Sequence, residues 1–363
     1  MPGSIYTHSH FEPDEFSNGG CKRTAQIREI LNKNNIPFKI ADFEPYKPKP
    51  RSLSSYIRGV AYNKRPSLNL RNDHNTGAYI KAFERFIAEN EPSLFIWESL
   101  ANQHFLLGNE LYKRNIPFIA LPHNLESLLI DNHSFTSDVN SPNWFTEELK
   151  YLRYPNKVFT ISLEERWLLS IYGIDVDYLP YYPTAAVNAY LLNIRAEREK
   201  KEKSNTPKKI LLLGTFYNKP TMQGYVDLLS QSEKFKGINF NVAGFGSEIL
   251  KNYNSSNIKI WGSVDTTLLK ELIIENDIVV LNQPPTSGSL TKIPELLIAG
   301  IPIAANHNAS RSFYGLNGMH TYHNYQELIN LIHAISPATP DIPAPPVAAE
   351  KRFVDYIKTI NRV

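Results

Sequence analysis

Cysteine, long apolar runs and an excess of one charge are all scarce in this sequence. Its single cysteine, Cys21, excludes an internal disulfide framework and is typical of a reducing compartment. No stretch approaches the ~20 apolar residues of a membrane-spanning helix, and the N-terminus lacks the basic and apolar regions of a secretion signal. We therefore expect a cytoplasmic protein.

Basic and acidic residues nearly balance, at 39 and 36, so the formal net charge is only +3. A strongly basic domain would indicate nucleic-acid binding, and this balance predicts no nucleic-acid partner. The local exception is the stretch 46–72, which contains basic residues and aromatic residues but no acidic residue. It is either a solvated loop or a surface for an anionic partner, such as lipid headgroups at the inner face of a membrane.

The 363 residues, 42 % of them hydrophobic, are enough for two packed domains. Short β-like runs alternate with helical segments, which is typical of parallel sheets flanked by helices. A nearly all-charged segment at 196–203, followed by the proline-containing 204–209, indicates a domain boundary. We predict an N-terminal Rossmann-like domain, a charged linker, a C-terminal Rossmann-like domain and a last helix at 1–183, 184–207, 208–345 and 346–363.

Individual elements follow from the apolar periodicity of the sequence. The predicted strands are 4–8, 38–43, 94–97, 118–121, 158–161, 176–179, 210–213, 240–243, 258–261, 278–281 and 301–305. The predicted helices are 22–34, 100–114, 222–232, 267–275, 293–299, 325–335 and 348–360.

The segment 282–302, NQPPTSGSLTKIPELLIAGIP, is the most informative motif. Its loop of small residues leads from a strand into a helix, and free backbone N–H groups in such a loop favour a diphosphate. Lys292 adds a cation where a leaving nucleotide diphosphate would develop negative charge. Glu295, one turn further on, could accept hydrogen bonds from ribose hydroxyls.

This segment resembles the donor-site signature of GT-B glycosyltransferases, especially the large retaining family GT4. Other motifs of that family are matched in order in both halves of the chain. They are SNGGCKRT at 17–24, LPHNLES at 121–127, NKVFTISLEE at 156–165, ILLLGTFY at 210–217, NVAGFGS at 241–247 and KIWGSVD at 259–265.

The resemblance implies an α/β fold of GT-B type, with two Rossmann-like domains facing across a cleft and the last helix packing back toward the N-terminal domain. It implies that Lys292, Glu295 and His123 carry the catalysis. The donor-binding residues would be Gly214, Thr215, Gly244, Phe245, Val264, Ser287, Gly288, Ser289, Lys292 and Glu295. The residues on the acceptor or sugar side would be Gly19, Gly20, His123 and Asn124.

The implied reaction is transfer of a sugar from a UDP-, GDP- or dTDP-sugar to a hydroxyl of a glycan or lipid-linked acceptor. Retention of configuration and independence of metal ions are expected. The chain departs from the family pattern at Ser287, where many members have a glutamate, and at Thr215, where many have an arginine. Lys219 could help Lys292 to replace that arginine. An inverting reaction would need a carboxylate base, with Asp14, Glu15 and Glu126 as the candidates.

Two other functions stay open at this point. A nucleotide-sugar epimerase of the same fold would change the sugar without an acceptor, and a non-catalytic relative would bind nucleotide or glycan without turnover. The D-x-D pair of Asp175 and Asp177 has the spacing of a metal-binding motif, but on a strand both carboxylates would simply share one solvent face. We expect no metal cofactor.

Overall fold

The computed structural model describes residues 4–48, 52–64, 70–98, 100–129, 144–201, 209–335 and 338–361. The chain divides into two compact units. The first unit consists of Met1–Asp14, Arg23–Pro180 and Pro346–Val363, and the second unit consists of Glu15–Lys22 and Tyr181–Pro345.

The first unit is built on a parallel sheet, which has six strands in the part of the chain that is described, in the order β2-β1-β3-β4-β5-β6. The strands are β1 (Ile5–His8), β2 (Lys39–Ile40), β3 (Leu94–Trp97), β4 (Phe118–Ala120), β5 (Lys157–Thr160) and β6 (Val176–Tyr178). The central strands are short apolar runs because helices cover both faces of a parallel sheet. Trp97 and Phe118 are buried on one face, and Ile96 and Phe159 on the other.

The helices between β1 and the end of the first sheet are α1 (Gly19–Lys33), α2 (Leu53–Asn63), α3 (Leu70–Asn90), α4 (Phe105–Lys113), α5 (Trp144–Leu152) and α6 (Leu163–Ile171). The first turn of α1 belongs to the second unit. Helices α2 and α3 approach so closely that a Cβ at Gly59 would lie 1.8 Å from the Asp73 carbonyl oxygen. Glycine is therefore needed at that crossing.

The second unit repeats the architecture with a second parallel sheet, again six-stranded in the described ranges, in the order β12-β11-β10-β7-β8-β9. Its strands are β7 (Lys209–Leu213), β8 (Asn239–Ala243), β9 (Ile258–Gly262), β10 (Ile278–Leu281), β11 (Ile303–Asn306) and β12 (Met319–Tyr322). Its helices are α7 (Ala185–Lys200), α8 (Lys219–Leu229), α9 (Thr266–Glu275), α10 (Lys292–Ile298) and α11 (Tyr325–Ala334).

The last helix, α12 (Val347–Ile360), belongs to the first unit. Phe353 packs edge-to-face on Phe159, with ring centroids 5.1 Å apart. Short 3-10 helices occur at Glu44–Tyr46, Asn102–His104, Glu126–Leu128, Ser232–Lys234 and Ser247–Tyr253.

The predicted alternation of strands and helices is confirmed, and the predicted strands 94–97 and 278–281 agree with β3 and β10 at both ends. Several findings differ from expectation, among them the unpredicted helices α2 and α3. Strand β12 lies where no strand was predicted, because the sequence MHTY lacks a continuous apolar run. The segment 184–207, predicted as a charged linker, forms helix α7 as far as Lys200, and its residues 202–207 lie outside the described residues.

Helix α7 forms because its apolar residues are spaced for one buried face. Val187, Leu191 and Ile194 recur at intervals of four and three residues, and all three are buried in the core of the second unit. Glu199 and Lys200 are exposed, whereas Arg198 is buried and donates to the carbonyl oxygens of Gly300 and Asn276. The charged end of α7 is therefore part of a packed helix and not a linker.

Candidate functional site

The turns after β7 and β8 meet at the carboxyl edge of the second sheet. Gly244 has φ +127°, and a Cβ there would lie 2.0 Å from the Gly214 carbonyl oxygen. The Phe216 N–H donates to the Phe245 carbonyl oxygen over 2.8 Å. The structure thus brings together four predicted donor residues, Gly214, Thr215, Gly244 and Phe245, in two turns that only a glycine at position 244 allows.

Lys292 reaches from the start of α10 to the end of β7. Its Nζ donates to the Leu213 carbonyl oxygen over 2.8 Å and would lie 3.2 Å from a Cβ at position 214. Burial, together with the smaller effect of the Lys22 charge, lowers the pKa of the Lys292 ammonium to about 8, and Glu295 opposes the shift. A bound anion at this place would stabilise the protonated lysine.

Glu295 is buried, and both of its carboxylate oxygens are engaged. Oε1 accepts from the Tyr181 hydroxyl at 2.6 Å, and Oε2 lies 2.5 Å from the Lys22 Nζ. The carboxylate predicted to hold ribose is therefore held by two residues of the second unit. Lys22 lies two residues after the predicted glycine pair, whereas nothing in the sequence singles out Tyr181.

The predicted glycine turn of the first half lies beside the start of α10. A Cβ at Gly19 would lie 3.0 Å from the Thr291 hydroxyl oxygen. The Gly20 N–H donates to the Asn18 side chain over 3.0 Å, which caps the start of α1. Gly19, Lys22, Lys292 and Glu295, drawn from opposite ends of the sequence, thus form one cluster within the second unit.

The loop of small residues before α10 is fixed through its carbonyl groups. The Arg311 guanidinium donates to the carbonyl oxygens of Ser287 and Gly288, each over 3.2 Å. Gln283 Nε2 donates to the Thr221 hydroxyl over 3.3 Å. Gln283 Oε1 and Ser289 Oγ are buried and have no hydrogen-bond partner among the described residues. Sequence reasoning missed both residues. Arg311 lies outside the motif 282–302, and Gln283 is its second residue, before the loop of small residues.

Val264, another predicted donor residue, follows β9 and packs against the core of the second unit. Nearby on the carboxyl edge, the rings of Tyr217 and Phe245 contact each other edge-on, with centroids 5.0 Å apart. Each of these two residues is 62 % exposed. A Cβ at Gly246 would lie 2.9 Å from the Tyr217 ring, so the turn after β8 also shapes this aromatic pair.

In the first unit, His123 follows β4 and stacks on Phe11, with ring centroids 5.1 Å apart. Its Nε2 lies 3.9 Å from Glu98 Oε2, which accepts from the Thr24 hydroxyl at 3.0 Å. Glu98 Oε1 and His123 Nε2 are both buried and lack a hydrogen-bond partner within the described ranges. Asn124, next to His123, is half-buried. Glu98 was not predicted as a site residue.

Two buried glutamates fix the loop that carries His123. Glu165 Oε1 accepts from the Leu125 N–H at 3.1 Å. Glu148 accepts from the Glu126 N–H at 2.7 Å and from the Ser127 N–H at 3.0 Å. Burial raises the pKa of Glu148 to about 7 against the opposing effect of these hydrogen bonds. Three consecutive N–H groups are thus satisfied by side chains, which holds the loop in one conformation.

Other predicted residues have ordinary partners. Glu15 accepts from the Thr184 hydroxyl at 2.5 Å, and Asp14 and Glu126 also have partners. Asp175 pairs with Lys157 at 2.9 Å, and Asp177 accepts from Arg352 of α12 at 2.8 Å. Across the described residues, no group of three or more potential metal-ligating side chains is found.

The basic stretch 46–72 is partly described, and its residues 49–51 and 65–69 lie outside the described residues. Lys47 pairs with Glu44 at 2.5 Å and lies over the Tyr79 ring at 4.5 Å, and Arg58 pairs with Glu84. Its contact with an anionic partner stays a prediction. Among the described helices, none combines the length and the hydropathy that crossing a membrane would require.

A cavity of about 670 Å³ lies at the opposite edge of the second sheet, at the amino-terminal ends of β7 and β8. Asn241 and Trp261 line it, and Asn241 Oδ1 accepts from the Trp261 indole N–H at 2.9 Å. None of the predicted site residues lines this cavity. It is therefore separate from the cluster around Lys292.

No protein-family model matches the chain, and no curated protein matches it. Several solved structures do. The sucrose-phosphate synthase of Thermosynechococcus elongatus matches with a TM-score of 0.60 at 15 % identity, over 91 % of this chain and 88 % of that chain. Anabaena HepE, in complex with UDP-glucose, matches with a TM-score of 0.59 at 11 % identity, over 98 % and 99 %.

The UDP-GlcNAc 2-epimerase of Methanocaldococcus jannaschii matches with a TM-score of 0.54 at 14 % identity, over 99 % of this chain and 100 % of that chain. At these identities the likeness concerns the fold. The predicted α/β class is confirmed, and this chain has the two-sheet, GT-B-like fold of these proteins.

Proposed function

We propose that the chain is an enzyme that transfers a sugar from a nucleoside-diphosphate sugar to a hydroxyl of a glycan or lipid-linked acceptor. The observation that carries this proposal is Lys292 of α10, whose ammonium group lies at the end of β7 beside the closely packed glycine turns after β7 and β8. A buried ammonium with a lowered pKa is stabilised when an anion binds next to it.

The motif resemblance to GT4 and the fold comparisons support a sugar nucleotide as that anion. The neighbours include a sucrose-phosphate synthase and a protein solved with UDP and glucose. UDP is accordingly the first nucleotide to test, followed by GDP and dTDP.

In the proposed reaction, the bond between the sugar C1 and the diphosphate oxygen breaks, and negative charge grows on the diphosphate. The Lys292 ammonium stabilises this charge more in the transition state than in the ground state, which accelerates the step. The acceptor hydroxyl forms the new bond to C1, and its proton passes to the leaving diphosphate if configuration is retained. His123, fixed by Phe11, orients the sugar. We propose that no metal ion is needed.

The test begins with calorimetric titration of the wild type with UDP, GDP and dTDP, and continues with turnover of the matching sugar nucleotides. Lys292→Ala should lower turnover more than ~10-fold, the order of one lost charge-stabilising contact. Lys351→Ala is the control, because Lys351 is an exposed lysine on α12 that pairs with Asp355 one turn further along the helix. Nucleotide binding without any turnover would favour the non-catalytic alternative, and no binding of any nucleotide would contradict the proposal.

An epimerase is the second candidate, because the chain and a UDP-GlcNAc 2-epimerase cover each other almost end to end. An epimerase changes the sugar nucleotide when no acceptor is present, whereas a transferase releases the nucleoside diphosphate only when an acceptor is present. Proton NMR of UDP-GlcNAc and UDP-glucose incubated with the protein, without and with an acceptor mixture, distinguishes the two. A new sugar-nucleotide signal without acceptor would replace the transferase proposal by the epimerase one.

A further inference from the structure

The cluster at the start of α10 contains two lysines and one glutamate. Lys22 pairs with Glu295 at 2.5 Å, and their side chains are only 16 % and 10 % exposed. Lys292, three residues before Glu295, makes its hydrogen bond to a neutral carbonyl group instead. When all three groups are ionised, the cluster therefore carries one positive charge in excess.

The two ammonium groups are close enough to influence each other. The charge of Lys22 contributes to lowering the pKa of Lys292, after the effect of burial. Two like charges in a partly dehydrated place repel, which is unfavourable unless an anion lies near both. Neither lysine forms an ion pair with a second carboxylate within the described residues.

A second observation also points to a missing ligand. Ser289 Oγ and Gln283 Oε1 are buried without a hydrogen-bond partner among the described residues. Gln283 bonds to Thr221, whose methyl group lies 2.6 Å from the Cβ position of Gly214, beside the Lys292 Nζ. A buried polar atom without a hydrogen-bond partner is unfavourable. A ligand with phosphate oxygens and hydroxyl groups would satisfy both atoms.

We propose that Lys22 is the second cation of the diphosphate site, and that Glu295 positions Lys22 instead of binding ribose. The two oxygens of Glu295 already accept hydrogen bonds from Tyr181 and Lys22, so this carboxylate positions the lysine. Lys22 then takes the place left by Thr215, where the resemblance leads one to expect an arginine. This inference rests on the proposed function and assigns the diphosphate of its substrate to two named lysines.

The experiment compares a nucleoside diphosphate with its nucleoside. Calorimetry measures the Kd of three pairs of ligands, UDP and uridine, GDP and guanosine, and dTDP and thymidine. Each pair is measured with the wild type and with the variants Lys22→Met, Lys22→Arg and Glu295→Gln. Lys22→Met should weaken diphosphate binding at least ~10-fold and leave nucleoside binding unchanged, because only the diphosphate meets the lysine. Lys22→Arg keeps the cation and should stay within about threefold of the wild type.

Glu295→Gln separates the two roles of this carboxylate. A glutamine still accepts the Tyr181 hydrogen bond but no longer holds the Lys22 ammonium, so diphosphate binding should weaken, by less than in Lys22→Met, with nucleoside binding unchanged. A loss of nucleoside affinity in this variant would mean that Glu295 binds ribose, and would overturn the inference. Equal affinity of Lys22→Met and the wild type for the diphosphate would also overturn it, as would equal loss of diphosphate and nucleoside affinity. A wild type that binds no diphosphate contradicts the proposed function itself.

Discussion

Lys292 Nζ donates a 2.8 Å hydrogen bond to the carbonyl oxygen of Leu213, the last residue of β7. This bond joins the loop–helix segment after β10 to the glycine turn after β7, two strands that are neighbours in the sheet. The lysine therefore lies at the carboxyl edge of the sheet, between the loops that follow the adjacent strands β7 and β10. In open α/β sheets, ligands bind at that edge.

Binding of a nucleoside diphosphate should weaken as pH rises above about 8. Burial, together with the charge of Lys22, lowers the pKa of Lys292 to about 8, so the free protein loses this charge above that pH. A bound diphosphate raises the pKa, because it favours the charged form. The Kd of UDP should thus be lowest near pH 7, roughly double by pH 8 and rise toward ~10-fold per pH unit above it, up to the raised pKa of the bound state. Calorimetry between pH 7 and pH 10 measures this.

Arginine at position 292 is the matched control for this titration. The guanidinium stays protonated throughout this range, so Lys292→Arg should flatten the profile even if its affinity is lower. A wild-type profile that is as flat as that of the arginine variant would show that Lys292 carries no titrating charge at the binding site.

Glu148 should make the wild type less stable at pH 7.5 than at pH 5.5. Burial raises its pKa to about 7 in the folded chain, from the usual value of 4.5. The folded state then holds the proton more tightly than the unfolded state, so the stabilisation is complete below pH ~4.5 and is lost as pH rises through ~7. For this group alone, the free energy of unfolding should fall by about 2 kcal/mol between pH 5.5 and pH 7.5.

Glu148→Gln isolates the effect of this carboxyl group from other titrations. The amide does not titrate, so the destabilisation caused by the substitution should be smaller at pH 7.5 than at pH 5.5 by about 2 kcal/mol. Urea denaturation of both proteins at the two pH values gives the four free energies. A substitution effect that is the same at both pH values would contradict the raised pKa.

Much of the fold could be predicted because apolar runs and their spacing are local signals. Strands β3 and β10 are short apolar runs bounded by polar residues, and their ends follow from the sequence. Helices α2 and α3 were not predicted, although Ile80, Phe83 and Ile87 give α3 a buried apolar face; the contact between the two helices depends on glycines at their crossing. Their backbones pack against each other at Gly59 and Gly77, which periodicity cannot reveal.

The candidate site divides in the same way. Lys292 and the small-residue loop could be predicted because strand, loop and helix follow each other directly in the sequence. The Lys22–Glu295 pair joins residues 273 positions apart, so the sequence predicted Glu295 from its motif but not its pairing with Lys22. Glu98 was missed for a similar reason, because its relation to His123 and Thr24 exists only once β3, β4 and α1 are assembled.

Gly244→Ala should be strongly destabilising and should abolish nucleotide binding. The added methyl group would lie 2.0 Å from a backbone oxygen at a φ of +127°, so two backbone turns would have to separate. Gly237→Ala is the matched control, because its φ is +74° and nothing lies within 4 Å of the added methyl group. It should cost only ~1–2 kcal/mol for the left-handed backbone and leave the Kd of UDP unchanged. Equal loss of stability in the two variants would show that the contact between the turns is not rigid.

Turnover should continue when divalent metal ions are removed. In the proposed site, Lys292 and Lys22 supply the positive charge that a bound cation would otherwise provide to the leaving diphosphate. Chromatography measures the rate at which the nucleoside diphosphate is released from its sugar. The rate in excess EDTA and the rate with added Mg²⁺ or Mn²⁺ should agree within about twofold. If EDTA stops the reaction and Mg²⁺ restores it, the lysines alone do not neutralise the leaving group. In that case, Lys22→Met measures how much of the diphosphate charge the lysines still neutralise. A metal-dependent enzyme should lose far less than ~10-fold in turnover on that substitution.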